Sequence, residues 1–302
     1  MSIAIQLQSV TKKFKDFTAV DQLSFIVNTG EIYGFLGPNG SGKSTSLRMM
    51  MGLIKPSDGN IFLFENALAT HRSSIMRRVG CIIEKPDFYN YLSAKENIKL
   101  FVRANQLNYT AKDYDALFDL VGLRGREADK VKTYSHGMKQ RLGLAQTLLH
   151  NPDLIILDEP NTGLDPQGII DLRYLLLKLN QEQGKTILFS SHILSEVQEI
   201  CNSMIVINKG KAVAQGKVAD LLSLEKLHVV IEVNDEEKMK RILRESQYAT
   251  FFEKNVGNEF WMNMSKSQIA PFVQLLIENN LEVCRVDYKN QLEAYFLKIT
   301  QS

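Results

Sequence analysis

Only three cysteines occur in the 302 residues, Cys81, Cys201 and Cys284, and no two are close enough in sequence to suggest a metal knuckle or a redox dithiol. A reduced, cytosolic setting is the natural expectation. No apolar run reaches the roughly eighteen residues that a membrane helix needs. The opening MSIAIQLQSV lacks the basic region and long apolar stretch of a secretory signal. A role at a membrane would have to borrow the membrane part from another chain. Charge of one sign is missing too: 36 Lys plus Arg stand against 34 Asp plus Glu, a formal +2. That balance excludes a polybasic nucleic-acid glove, so no direct nucleic-acid partner is expected. Internal repeats and low-complexity segments are absent as well. What remains is ordinary globular composition, 44% hydrophobic and 23% charged. The length suggests about two domains and a core that buries roughly three quarters of the unfolded surface.

Residues 1 to 28 alternate apolar and polar, with Ile3, Ile5, Leu7 and then Leu23, Phe25, Val27, the period of antiparallel strands with one buried face. From Glu31 the pattern becomes α/β. EIYGFLG, DLIILDEP and KTILFSSH read as short buried strands and KSTSLRMMMGL as a helix, which predicts a mostly parallel sheet covered by helices. Residues 85–151 carry helical spacing alone and read as a helical insertion. Beyond residue 224 the order becomes βαββαβ, with a turn at Gly257-Asn258. This predicts a small α+β domain over 225–302 on the split βαβ, ferredoxin-like plan.

The strongest local signal is GPNGSGKST, comprising Gly37, Pro38, Asn39, Gly40, Ser41, Gly42, Lys43, Ser44 and Thr45, between a predicted strand and a predicted helix. Glycines let successive backbone N–H groups converge on phosphate oxygens, and the helix aims its positive end at the same anion. Lys43 is expected to reach the β and γ phosphates, and Ser44 to offer its hydroxyl to Mg2+. A turn that merely joins strand to helix is the bland reading, and the complete pattern in this context outweighs it. LIILDEP ends a buried strand on Asp158 and Glu159, which puts charge at the carboxyl edge of the sheet, where open α/β sheets bind ligands. Asp158 fits a metal-holding role and Glu159 that of polarising an attacking water. Taken alone, such a pair is more often a strand end before a turn; coupled to the phosphate loop, the functional reading is preferred.

With these motifs, residues 3–224 resemble the ATP-binding subunit of an ATP-binding cassette (ABC) transporter. YSHGMKQ, Tyr134 to Gln140, looks like the family signature LSGGQ. Ser135 and Gly137 keep the two central positions, whereas His136 and Met138 depart from the pattern. The resemblance implies a P-loop NTPase with a RecA-like parallel-sheet core, an N-terminal antiparallel β-subdomain, a helical insertion and a small C-terminal domain. TGLDP resembles the D-loop, with Asp165 at its acidic position. SSH ends on His192 at the position of the switch histidine that contacts the γ phosphate. Phe14 aligns with the aromatic that stacks on adenine, though an aromatic at a strand end serves equally in edge or core packing. Glu84 stands where the family usually has glutamine and is expected to offer a charged oxygen to Mg2+. Glu84, the YS-x-GMKQRL signature and the C-terminal domain together resemble the bacitracin and lantibiotic resistance type of exporter.

The resemblance implies ATP and Mg2+ as ligands. It also implies a head-to-tail pair of identical chains, with Ser135 and Gly137 of one facing the nucleotide held by Lys43 and Ser44 of the other, and catalysis by Glu159, His192 and Lys43. A separate integral membrane permease is the expected partner, which puts the chain in the cytoplasm, peripheral on the inner face of the membrane. Phe88, Tyr89 and Tyr91 are expected to be exposed and to contact that permease; packing of the insertion is the alternative. Two other readings stay open at this point: a soluble member acting in translation or repair, and a sensor ATPase that moves no cargo. The first usually fuses two cassettes or inserts long coiled coils, and this sequence has neither.

Overall fold

The structure is a computed structural model that describes residues 2–84, 86–222 and 227–290 together with Leu292 and Phe296. It divides into two compact units, Met1–Lys217 and Val218–Ser302. The expected boundary between residues 224 and 225 lies outside the described residues.

The first unit begins with a long hairpin of β1 (Ile3–Phe14) and β2 (Phe17–Asn28). Its register pairs Leu7 with Phe25 and Val10 with Leu23, so the alternating apolar residues fall on one buried face. Next come β3 (Ile32–Leu36), α1 (Lys43–Met50), β4 (Asp58–Leu63), β5 (Asn66–Ala67), α2 (Leu68–Met76) and β6 (Val79–Ile82). Helices α3 (Ala94–Ala104), α4 (Ala111–Leu120) and α5 (His136–Leu148) follow. Among the described residues no strand lies between β6 and β7 (Leu154–Leu157). Ser93 starts α3 with a reciprocal cap, accepting from Glu96 N at 3.2 Å while Ser93 N donates to Glu96 Oε2 at 2.7 Å. After β7 come α6 (Pro166–Gln183), β8 (Thr186–Ser191), α7 (Leu194–Ile200), β9 (Ser203–Asn208) and β10 (Lys211–Lys217).

Two sheets result. The antiparallel one runs β2-β1-β4-β5, and the central one runs β10-β9-β3-β8-β7-β6. In the central sheet every neighbouring pair is parallel except β10 with β9. β3, β7 and β8 are buried along their whole lengths, as parallel strands covered on both faces must be. These three are also neighbours in space, so their carboxyl ends open on one edge.

The second unit holds α8 (Val218–Leu221), β11 (Leu227–Val233), α9 (Glu236–Glu245), β12 (Phe252–Val256), β13 (Glu259–Met264), α10 (Lys266–Glu278) and β14 (Val283–Asn290). Its antiparallel sheet runs β12-β13-β11-β14, so each helical crossover steps over one intervening strand, the split βαβ arrangement. Leu227, Val229, Ile231 and Val233 put one face of β11 against Phe260, Met239, Phe272 and Leu276 in a separate core.

Candidate functional site

The loop after β3 is shaped by backbone angles that side chains resist. Gly40 and Gly42 have φ of +77° and +106°. A Cβ on Gly42 would lie 2.5 Å from Ala19 O, so this first residue before α1 has no room for a side chain. Gly37 N donates to Ser191 O at 3.2 Å, which fastens the loop to the end of β8. Pro38, Asn39 and Ser41 complete the loop, and Ser44 and Thr45 lie in the first turn of α1. Ser41 Oγ is buried without a hydrogen-bond partner, a polar atom that a phosphate oxygen would satisfy.

Lys43 is the hub. Its side chain is 5% exposed, with Nζ 3.2 Å from Glu159 Oε1. The same ammonium donates to Gly37 O at 2.8 Å and Pro38 O at 3.2 Å. Glu159 follows β7 at a left-handed φ of +45°, a conformation that costs a non-glycine residue about 1–3 kcal/mol. Ser190 offsets that cost from β8: its Oγ accepts from Glu159 N at 2.9 Å and donates to Asp158 Oδ1 at 2.6 Å. His192 Nδ1 donates to Glu159 Oε2 at 3.1 Å. Burial pushes the Glu159 carboxyl up, but Lys43 and His192 outweigh it and hold the group below the ordinary glutamate range.

Ser44, Glu84, Asp158 and Glu159 line one open cleft of about 310 Å³ with His136, Gln140 and Thr162. Oxygen ligands of this kind suit a hard cation. Among the described residues no group of three or more His, Cys, Asp or Glu could hold a metal alone. Glu84 reaches the cleft from a φ of +72°, and its carboxylate is paired with Arg48. Both groups are well exposed, so the pair is worth about 0–1 kcal/mol and is easily exchanged.

Ser135, Gly137 and Asp165 do not line that cleft. They gather with Met138, Arg141 and Leu164 around a second hollow of about 230 Å³. Ser135 caps α5, accepting from Met138 N at 3.2 Å, and Asp165 caps α6, accepting from Gly168 N at 3.0 Å. Phe14 is 47% exposed at the end of the first hairpin, with Lys12 Nζ 5.0 Å from its ring centroid, so its ring is not core. One contributor is given no role by the motifs, Ser190, which steadies both acids; Thr162, whose Oγ1 donates to Glu159 Oε2 at 3.3 Å, and Gln140, which lines both hollows, fall within TGLDP and YSHGMKQ but without a role assigned there. The only sequence signal for Ser190 is its place two residues before His192.

The aromatic segment divides. Tyr89 and Tyr91 are exposed and meet edge to face at 5.9 Å, whereas Phe88 is buried against Phe101. The expectation of an exposed Phe88 is therefore corrected: a ring one residue from Tyr89 points inward and pins the segment. Asn97, fully buried, accepts from Tyr89 N at 2.9 Å and donates to Tyr89 O at 3.1 Å and Ser93 O at 2.9 Å. Asn97→Ala leaves Tyr89 N unpaired, while Tyr89 O and Ser93 O still accept from Leu92 N and Asn97 N, and it is expected to cost about 1–3 kcal/mol in chemical denaturation; an unchanged midpoint contradicts this.

Residues 20–162 match the profile of the ABC transporter family. The chain is 38% identical over 301 residues, 99% of its length and 97% of the relative's, to the uncharacterized ABC transporter ATP-binding protein YhcH of Bacillus subtilis (strain 168). It is 36% identical over 301 residues, 99% of its length and 98% of the relative's, to the bacitracin transport ATP-binding protein BcrA of Bacillus licheniformis. A solved ATP-binding cassette, a dimer in a post-hydrolysis state bound to ADP and Pi, superposes with a TM-score of 0.63 at 25% identity, covering 71% of this chain and 98% of that one.

Proposed function

Because the chain belongs to the ABC transporter family of ATP-binding proteins, we propose that two copies close head to tail on ATP and drive export through a separate membrane permease. The observation that carries the catalytic part is the convergence of Lys43, Asp158, Glu159 and His192 at the carboxyl ends of three adjacent strands. The loop Gly37 to Thr45 wraps the phosphates, with the backbone N–H groups of Gly42, Lys43 and Ser44 at the start of α1 as donors. The γ phosphate draws Lys43 Nζ away from Glu159 Oε1, which frees that carboxylate to take a proton from the attacking water. His192 orients the carboxylate from its other oxygen. Ser44 and Asp158 would hold Mg2+, with Glu84 beside them once it leaves Arg48. Mg2+ held there would supply charge neutralisation to the phosphates.

Ser135 and Gly137 form a second hollow within one chain, which supports their serving the partner's nucleotide rather than their own. Asp165 belongs to the same face, and Phe14, with a half-exposed ring, stacks on adenine. Two-fold symmetry then makes two equal composite sites. Hydrolysis removes the shared anion and the pair opens. Among the described residues no helix is long and apolar enough to cross a membrane. The proposed permease is a different chain, with this one at the inner face of the membrane on the cytoplasmic side. The first unit is the cassette, with residues 85–151 as its helical subdomain, and the second is an accessory domain. The relative named for bacitracin transport supports a cargo among antimicrobial peptides or drugs.

Tyr89 and Tyr91 are the exposed anchors for a permease helix. Replacing both with Ala should abolish cargo-stimulated ATPase in vesicles holding the chain and its permease, with basal ATPase kept. Full stimulation in the double variant contradicts this docking; absence of any cargo stimulation in the wild type contradicts the transport reading itself.

A further inference from the structure

One contact in the first cleft lies beside the residues of the second hollow: His136 sits between Ser135 and Gly137, and Thr162 two residues before Leu164. His136 Nε2 lies 3.1 Å from Thr162 O, and since a carbonyl oxygen only accepts, the ring nitrogen is the donor. A Cβ on Gly163 would come within 2.9 Å of His136 Cδ2 and Nε2, so glycine there makes room for the ring. On the next residue, Leu164 Cδ2 is 3.4 Å from where a Cβ on Gly137 would stand. Thr162 Oγ1 in turn donates to Glu159 Oε2 at 3.3 Å. The start of α5 is thereby joined to the carboxylate after β7 by two bonds through Thr162, one at its carbonyl and one at its hydroxyl.

We propose that His136 is a positioning residue which makes the two nucleotide sites of a pair respond together. The proposal rests on the head-to-tail reading above. In that reading Ser135 and Gly137 hold the partner's nucleotide, whereas Glu159 acts on the chain's own. A bond within one chain from His136 to Thr162 then joins two sites that are far apart in sequence terms: nucleotide on the partner's loop sets the signature segment, and the signature segment sets Glu159. Such coupling is reciprocal, so each site favours the other. A purely architectural role is less well supported, because Arg141 on α5 already pairs with Asp171 on α6. That contact docks the two helices without help from the imidazole.

The test is the ATP dependence of hydrolysis by the full chain. Two sites limit the Hill coefficient to about 2. The wild type should exceed about 1.5, and His136→Leu, of similar bulk but without a donor, should fall to about 1. His136→Gln, whose amide offers an N–H to the same carbonyl, should keep the wild-type coefficient. Thr162→Val removes the hydroxyl link at nearly constant shape and should also fall, which keeps the proposal testable if His136→Leu folds poorly. A wild-type coefficient in His136→Leu and Thr162→Val, or an equal fall in the Gln and Leu variants, overturns it. Failure of Glu159→Gln to pair on ATP would instead overturn the head-to-tail reading. Pairing there with unchanged coefficients in both donor-deleted variants overturns the role of His136 alone.

Discussion

Glu159→Gln slows ATP hydrolysis by at least about 100-fold while ATP stays bound, since a general base contributes on the order of 10²- to 10⁴-fold. The amide has nearly the same shape and can still accept a bond, but it cannot take a proton from water. The strained backbone at residue 159 is held by Ser190 through the main-chain N–H, a contact that the substitution does not touch. The fold should therefore persist, and the loss should fall on kcat rather than on binding. In the wild type the carboxyl is depressed, so it remains ionised throughout the neutral range. Its contribution to activity is lost only as pH falls below the ordinary glutamate range. Phosphate release and equilibrium nucleotide binding, measured on the same preparation, check both halves. Wild-type turnover in the amide variant removes Glu159 from the role of base.

Lys43→Ala is expected to lower kcat by about 10²- to 10³-fold, the scale for deleting one preorganised donor at developing charge. ATP affinity falls with it, because the same ammonium meets the phosphates. A second consequence follows from the ion pair. Lys43 is the largest influence opposing burial at Glu159, so without it the carboxyl becomes easier to protonate. The acid limb of the residual kcat/KM should then move to higher pH than in the wild type. Lys43 also donates to Gly37 O and Pro38 O, and a thermal melt on the same variant separates local loss from a loosened loop. An acid limb that does not move would show that the two side chains are not coupled in solution.

The elements that carry the chemistry were legible because each is a short-range pattern. GPNGSGKST needs its glycines at fixed spacing, at 37, 40 and 42, and β3, β7 and β8 are buried on both faces, so they read as unbroken apolar runs. The split βαβ order of the second unit was legible for a similar reason: β11 and β13 alternate strictly. Side-chain direction within an irregular segment has no such period. Phe88 turns inward while Tyr89 faces out, and nothing in KPDFYNYLS distinguishes them. Contacts between distant elements were equally hidden. Ser190 meets Asp158 and Glu159 because β8 lies beside β7 in register, Leu157 opposite Phe189. Arg48 reaches Glu84 from the turn that ends α1, and His136 reaches Thr162 across a loop, pairs that only the folded chain brings within bonding distance.

The most direct measurement of the central claim is the sedimentation of Glu159→Gln with and without saturating ATP, magnesium omitted so that hydrolysis cannot reopen the assembly. One chain without nucleotide and two chains with it is the predicted result, reversed when Ser135 is replaced by a bulky residue. A single chain under both conditions would contradict the claim that triphosphate joins two copies into complete sites.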